Sequence, residues 1–301
     1  MRLQRVLIAA VAFAATLAPI AGRAQSAGKI PVVASFSVLG DFVQEVGGDK
    51  VEVKSLVGPN GDAHVFQPSP ADAQSLAAAK MIVVNGLTLE GWMTRLIEAS
   101  GAKAPVIVAT KGITPREGEE DGKKGIDPHA WQSVPNAKIY VSNILAALIA
   151  ADPADADYFR ARAQSYQAAL DETDKKVRAA IASIPAKNRK IITTHDAFGY
   201  FGEAYGFEFI APQGLSTESE PSAKDVARLI TQIKREHAPA VFLENISDPR
   251  LMKRIAQESG AKIGGELFSD SLSPPDGPAA TYIAMMEHNI VELKKALGPN
   301  T

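Results

Sequence analysis

The sequence contains no cysteine among its 301 residues. This absence excludes disulfides, cysteine-based zinc fingers, iron–sulfur ligation, thiol catalysis and a lipid-modified cysteine. The chain also lacks a basic excess, because 32 lysines and arginines stand against 34 aspartates and glutamates, for a formal net charge of −2. Without surplus positive charge to attract phosphates, no nucleic acid is expected as a partner.

The composition is otherwise that of a globular protein. Hydrophobic residues make up 46% of the chain and charged residues 22%. This proportion allows a sizeable core and argues against global disorder, and the length fits one large domain or two medium ones.

The N-terminus has the three-part layout of a secretory signal peptide. Arg2 and Arg5 precede an uncharged apolar run, Val6–Ile20, and the small residues of 21–24 follow. An N-terminal membrane anchor is the alternative, but about 15 apolar residues are short for a span that needs roughly 20. We therefore predict that residues 1–24 are a signal peptide, cleaved after Ala24 or else after Ala27, and that the mature protein is periplasmic.

Short apolar runs alternate with helical patterns in both halves of the mature chain. The runs are Lys29–Ser35, Val51–Leu56, Met81–Asn85, Val106–Ala109, Lys190–Thr194, Phe207–Ile210, Ala240–Glu244 and Ala261–Gly264. Strands of four to seven residues separated by helices indicate parallel βαβ units. We predict an α/β protein of two lobes, residues 25–152 and 187–301, each a parallel sheet flanked by helices.

A long helix is predicted between the lobes, over residues 153–186. Pro153 suits a first helical position after Asp152, and apolar residues recur every three or four positions from Phe159 to Ile184. At 1.5 Å per residue the helix spans some 45 Å. We interpret it as a rigid connection, and a coiled-coil dimer strand is the alternative.

The segment Pro115–Asp127 breaks the alternation. It is charged and glycine-rich, with almost no apolar residue, and it contains no histidine. These features predict a mobile, solvated surface loop.

Three histidines and an aspartate lie where α/β proteins bind ligands, beyond the carboxyl ends of strands. His195 follows a strand directly, His64 and Asp270 follow strands after short loops, and His129 ends the charged segment. Imidazole and carboxylate groups suit Zn²⁺, and three imidazoles with one carboxylate complete a tetrahedral coordination shell. No local motif joins the four, so their spacing also fits hydrogen-bonded structural residues. His237 and His288 are assigned structural roles, at a helix end and on a polar helix face.

Six blocks of the mature chain resemble the substrate-binding proteins of zinc and manganese ABC importers. They are VVASFSVLGDFVQEVGGD, GDAHVFQPSPAD, DPHAW, TTHDAFGYF, STESEPSAKD and GGELFSDSLS. The resemblance implies a metal bound between two lobes by one residue from each of four blocks. These residues are His64, His129, His195 and Asp270.

The third of these four site residues, His195, distinguishes zinc members of the resembling family from manganese members. Manganese members typically present glutamate where this sequence has His195, so the resemblance is closest to zinc receptors of the AztC type. A third nitrogen donor also favours Zn²⁺ over Mn²⁺ on chemical grounds. The resemblance implies a monomeric receptor with no enzymatic activity that delivers zinc to a permease driven by its ATPase. A periplasmic metal-donor protein is a further candidate partner.

Three alternatives stay open. The first is a manganese or iron receptor on the same fold. The second is a secreted zinc hydrolase, because three histidines and a water form a catalytic zinc site. The third is an exported structural protein or adhesin without a role in transport.

Overall fold

The computed structural model describes residues 28–120, 123–236 and 238–299. The proposed signal peptide, its two candidate cleavage sites and His237 lie outside these residues.

The first half forms a parallel four-stranded sheet in the order β2-β1-β3-β4. Its strands are β1 (Ile30–Phe36), β2 (Val51–Val57), β3 (Met81–Val84) and β4 (Val106–Val108), and its helices are α1 (Ser37–Gly47), α2 (Pro70–Ala78) and α3 (Met93–Ser100). All four residues of β3 are buried. Burial on both faces explains why this strand is a continuous apolar run without alternation.

The charged segment Pro115–Asp127 is not an unstructured loop, and that prediction was wrong. Strands β5 (Arg116–Glu120) and β6 (Lys123–Asp127) pair as an antiparallel hairpin. Lys124 forms an ion pair with Glu117 across it.

The hairpin is docked on the second half of the chain. Leu215, 4% exposed, packs over the opposed pair Gly118 and Gly125. A Cβ at Gly118 would lie 2.6 Å from Leu215 Cδ2, so glycine is what lets the leucine approach. A contact with a residue about 90 positions away is invisible in the local pattern, which is why the sequence suggested a loop.

Helix α4 (Val134–Ala151) follows the hairpin and is strongly apolar. Its 18 residues have a mean hydropathy of 1.3, which is enough to cross a membrane by length and composition alone. The helix packs against α1, and the buried side chains of Ala137, Tyr140, Ile144 and Leu148 belong to the protein core.

The long helix is present as α5 (Ala156–Ala182), 27 residues preceded by a 3₁₀ turn over Pro153–Asp155. Its buried residues are those of the predicted stripe: Phe159, Ala163, Tyr166, Leu170, Thr173, Val177 and Ile181. The stripe packs on α1, α4 and the last helix, so it is covered within the chain. This packing leaves no apolar seam for the coiled-coil alternative.

The second half forms another parallel four-stranded sheet, in the order β10-β9-β7-β8. Its strands are β7 (Lys190–Ile192), β8 (Glu208–Ile210), β9 (Ala240–Glu244) and β10 (Lys262–Leu267), and its helices are α6 (Gly199–Tyr205), α7 (Ala223–Glu236), α8 (Pro249–Ser259) and α9 (Tyr282–Leu297). The predicted α/β fold of two sheet-and-helix lobes is therefore confirmed.

One hydrophobic core continues from the first half into the second. Tyr282 on α9 packs against Phe42 on α1, with ring centroids 4.8 Å apart, and its hydroxyl donates to the Trp131 carbonyl at 2.7 Å. Trp131 Nε1 in turn donates to the Ser269 carbonyl at 2.9 Å. The boundary between the halves is thus well packed where it borders His129 and Asp270.

Candidate metal centre

The fold brings the carboxyl ends of strands from both sheets to one place. His64 lies in the loop between β2 and α2, and His129 lies just after β6. His195 comes three residues after β7, and Asp270 comes three residues after β10. Each half of the chain therefore supplies two of the four side chains.

The four side chains face one another across this boundary. Their candidate ligand atoms all lie within 4.8 Å of one another. Asp270 Oδ2 is 3.1 Å from His64 Nε2, 3.1 Å from His195 Nε2 and 3.7 Å from His129 Nε2. The Nε2 atoms of His64 and His129 are 3.3 Å apart.

Four of the six separations, between 3.1 and 3.7 Å, are close to the edges of a metal tetrahedron. Zn–N and Zn–O bonds of about 2.0–2.1 Å with tetrahedral angles set ligand atoms about 3.3 Å apart. His129, His195 and Asp270 are fully buried, and His64 is 7% exposed. A set of one carboxylate and three imidazole nitrogens, shielded from water, suits a borderline divalent cation.

A carboxylate two residues earlier orients His129. Asp127 Oδ1 accepts from the His129 backbone N–H at 2.9 Å and lies 2.8 Å from the ring Nδ1. Because a carboxylate only accepts, Nδ1 carries a hydrogen, and Nε2 is the nitrogen that can bind a metal once its own proton has left. Arg116 of the hairpin donates to the other oxygen of Asp127 at 2.8 Å and also pairs with Glu203.

Glu244 orients His195 in the same way. Its Oε2 lies 2.6 Å from His195 Nδ1, and its Oε1 accepts from the backbone N–H groups of Thr194 at 2.6 Å and His195 at 3.0 Å. Sequence reasoning alone predicts no role for Glu244. The signal that identifies it is its place at the carboxyl end of β9, which neighbours β7 in the sheet.

His64 is held differently from the other two histidines. Asp62 Oδ1 accepts from the His64 backbone N–H at 2.8 Å, but it does not bind the ring. Within the described part of the chain, the His64 ring hydrogen-bonds only to His129 Nε2 and Asp270 Oδ2. Asp62 therefore holds the His64 backbone in place, while the His64 ring is positioned by its contacts with His129 and Asp270.

The buried histidines and carboxylates strongly shift one another's pKa values. Burial lowers the pKa of His129, but the carboxylates of Asp270 and Asp127 raise it by more, to about 9. Burial likewise lowers the pKa of His195, and Glu244 and Asp270 raise it well above its usual range. Burial raises the pKa of Asp270, yet His195 and His129 bring it well below its usual range. A cation entering this site must displace protons from the imidazoles.

One carboxylate oxygen of Asp270 makes none of these contacts. Its Oδ1 is buried and has no hydrogen-bond partner among the described residues. Leaving a buried carboxylate oxygen unpaired is costly, and a metal ion would satisfy it. The orphaned atom fits a cation held by both oxygens of Asp270.

The remaining described histidine lies apart from this site. His288, on α9, has its Nε2 3.0 Å from the backbone carbonyl of Glu266 and its ring against Phe268. This structural role is the predicted one.

Known proteins that resemble this chain are also metal-binding proteins. Residues 32–296 match the family model described as zinc-uptake complex component A, periplasmic. The chain is 35% identical over 274 residues to the iron-binding protein YfeA of Yersinia pestis, covering 91% of this chain and 88% of that protein. It is 37% identical over 307 residues to the manganese-binding lipoprotein MntA of Bacillus subtilis, covering 97% and 98%.

A solved structure shares the fold. The periplasmic zinc binding protein TroA from Treponema pallidum superposes with a TM-score of 0.85 at 33% identity, covering 90% of this chain and all of that one. None of these similarities bears on the AztC type, which stays a prediction. The family consists of uptake receptors and not enzymes, so the hydrolase alternative falls away. The chain belongs to the family of periplasmic zinc-uptake component A, the receptors that bind a divalent metal for an ABC importer with its permease and ATPase.

Proposed function

We propose that this protein is the periplasmic receptor of a high-affinity zinc importer. It captures Zn²⁺ with His64, His129, His195 and Asp270 and delivers the ion to its permease. The observation that carries the proposal is the convergence of three histidine rings and one carboxylate, whose candidate ligand atoms all lie within 4.8 Å of one another. Three nitrogen donors favour Zn²⁺ over the oxygen-preferring Mn²⁺.

A manganese or iron receptor is the second candidate, and one feature of the site favours it. If both oxygens of Asp270 bound the ion, the site would become five-coordinate, which suits Mn²⁺ or Fe²⁺ better than a closed zinc tetrahedron. The names of the relatives YfeA and MntA point the same way.

The proposal includes a two-lobe capture mechanism. Residues 25–152 and 187–301 form the lobes, and the helical segment 153–186 limits how far they separate. The continuous core beside Trp131 and Tyr282 supports small movements confined to the loops that carry the ligands.

The receptor is proposed to act as a monomer, free in the periplasm after cleavage of residues 1–24. Several relatives are named lipoproteins, but this sequence has no cysteine to which such a lipid could be attached. A periplasmic metal-donor protein remains a candidate partner.

The test is elemental analysis of untagged protein, followed by competition between zinc and manganese. We expect one zinc per chain and displacement of bound manganese by equimolar zinc. Tighter binding of manganese or iron would establish the second candidate instead.

A matched pair of variants tests the ligand assignment. His195→Ala should weaken zinc binding by more than about 100-fold, because it removes a metal ligand. Mutating a residue that only hydrogen-bonds to a ligand already lowers metal affinity by about 10–100-fold. His288→Ala, with its ring outside the site, should bind zinc within about threefold of the wild type. Comparable losses in both would refute the assignment.

A further inference from the structure

Two of the metal-facing histidines lie in the same short sequence pattern, an aspartate two residues before the histidine. In both, the aspartate accepts from the histidine backbone N–H, at 2.8 Å for Asp62 and His64 and at 2.9 Å for Asp127 and His129. The patterns then diverge. Asp127 Oδ1 also binds its histidine ring, whereas Asp62 does not.

The second oxygen of Asp62 reaches the other half of the chain. Asp62 Oδ2 accepts from the Thr217 hydroxyl at 2.6 Å. Thr217 lies between β8 and α7, 155 residues away. One carboxylate therefore connects the backbone of His64 to the second lobe, and we name this pair of hydrogen bonds the Asp62–Thr217 link.

The segment that carries Thr217 is itself fastened to the first lobe. The Ser216 backbone N–H donates to Glu120 Oε2 at 2.8 Å, and Leu215 packs on the hairpin glycines. Thr217 is thus presented to Asp62 from a segment with two further anchors, so the link has a fixed geometry.

The loop that carries His64 is also attached to the second lobe at Asn60. The Asn60 backbone N–H donates to the Leu272 carbonyl at 3.0 Å, and Asn245 Nδ2 donates to Asn60 Oδ1 at 3.1 Å. Of these two attachments to the second lobe, the Asp62–Thr217 link is the nearer to His64 along the chain.

His64 is the most exposed of the four metal-facing side chains and the histidine whose ring is least restrained. The other three ligand side chains are fully buried, and carboxylates hold the rings of His129 and His195. A cavity of about 500 Å³ is lined by Asp62 and Thr217, among others. The link therefore lies in the wall of a cavity that also reaches Thr194, the chain neighbour of His195.

We propose that Asp62 and Thr217 are positioning residues that hold His64 on the captured ion and set its rate of release. Breaking the link loosens His64 on the ion, although the hydrogen bonds at Asn60 and from Trp92 Nε1 to the Ala63 carbonyl persist, and the least restrained ligand then departs first. The proposal rests on the proposed function, since it requires a metal bound by His64.

The test is the dissociation rate of zinc from the full mature chain, measured by stopped flow with an excess chelator. Thr217→Val removes the donor and keeps the shape, and it should speed dissociation about tenfold, the effect of losing a hydrogen bond to a charged group. The association rate should stay within about threefold. Thr217→Ser retains the hydroxyl and should restore the wild-type rate.

Thr231→Val is the matched control, because the Thr231 hydroxyl donates only to the Ala227 carbonyl on the exposed face of α7. The d–d spectrum of the Co²⁺-loaded Thr217→Val variant should remain that of the wild type, which separates faster release from a damaged site. Thr217→Ala gives the same test if the valine variant fails to fold.

An unchanged dissociation rate in the Thr217 variants overturns the proposal, and so does a loss of affinity that arises only from slower association. Failure of the wild-type chain to bind zinc, manganese or iron overturns the proposed function and this inference with it. Wild-type binding with unaltered release in the variants overturns the link alone.

Discussion

Replacement of Glu244 by glutamine tests how far a residue outside the ligand set controls metal binding. Glu244 is 2% exposed and contacts three groups, the backbone N–H of Thr194, the backbone N–H of His195 and the His195 ring. Glutamine has the same shape, so the substitution changes charge and hydrogen-bond direction without creating a cavity.

The hydrogen bonds dictate how glutamine must lie. Both backbone N–H groups point at Oε1, so the amide oxygen has to occupy that place. The amide NH₂ then faces His195 Nδ1 and donates to it. A neutral imidazole that accepts at Nδ1 carries its hydrogen on Nε2, the atom that lies 3.1 Å from Asp270 Oδ2. The metal-binding lone pair is lost.

The magnitude follows from comparable sites. Loss of a carboxylate behind a metal-binding histidine weakens binding by 10–100-fold, or about 1.4–2.7 kcal/mol. Because glutamine also imposes the wrong tautomer, we expect the upper end for Glu244→Gln, about 100-fold.

The assay is zinc competition with a chromophoric chelator at pH 7.5. The control is Glu258→Gln on the surface of α8, where Glu258 pairs with Arg254, and it should bind zinc like the wild type. Zinc binding by Glu244→Gln within about threefold of the wild type would refute the reasoning that Glu244 sets the tautomer of His195.

Two further predictions concern protons. In the metal-free protein His129, with a pKa raised to about 9, is protonated at pH 7.5, so zinc must displace its proton and affinity should fall about tenfold per pH unit below 9 for each proton released. Calorimetry in buffers of different ionisation enthalpy should show release of about one to two protons, and a buffer-independent enthalpy would contradict this. The second concerns Asp41, part-buried beside α9, where burial raises the pKa to about 7 although the Tyr282 backbone N–H opposes the shift. Its folded-state pKa exceeds the unfolded value of 3.8, so stability is fully present below pH 4 and is lost as pH rises through 7. Asp41→Asn, which keeps an acceptor for Tyr282, should therefore raise the free energy of unfolding by about 2 kcal/mol at pH 8.5 and by almost nothing at pH 4, as measured by urea denaturation; equal effects at both pH values would count against it.

Local pattern was sufficient for much of the fold. Periodicity at steps of three and four identified the buried face of α5, because a helix against a core needs one apolar stripe. Short apolar runs located all eight strands of the two sheets, with β10 extending to Leu267 beyond its predicted end.

The residues of the metal site could not be predicted from sequence pattern alone. The spacing of His64, His129, His195 and Asp270 left each of them as consistent with a structural residue as with a ligand. The resemblance of whole sequence blocks to metal receptors singled them out. The structure then brought the four together, although their role as zinc ligands remains a proposal.

The chain's order of residues by itself determined the alternation of strands and helices, the long buried stripe and the chemical types of the metal-facing side chains. Only the tertiary structure decided that the charged segment pairs as a hairpin, that Glu244 orients His195 across 49 residues and that Asp62 meets Thr217 across 155. The physical reason is range. Helix and strand periodicity arises from neighbours a few residues apart, whereas these contacts join polar groups that only the packing of two sheets against each other brings within hydrogen-bond distance.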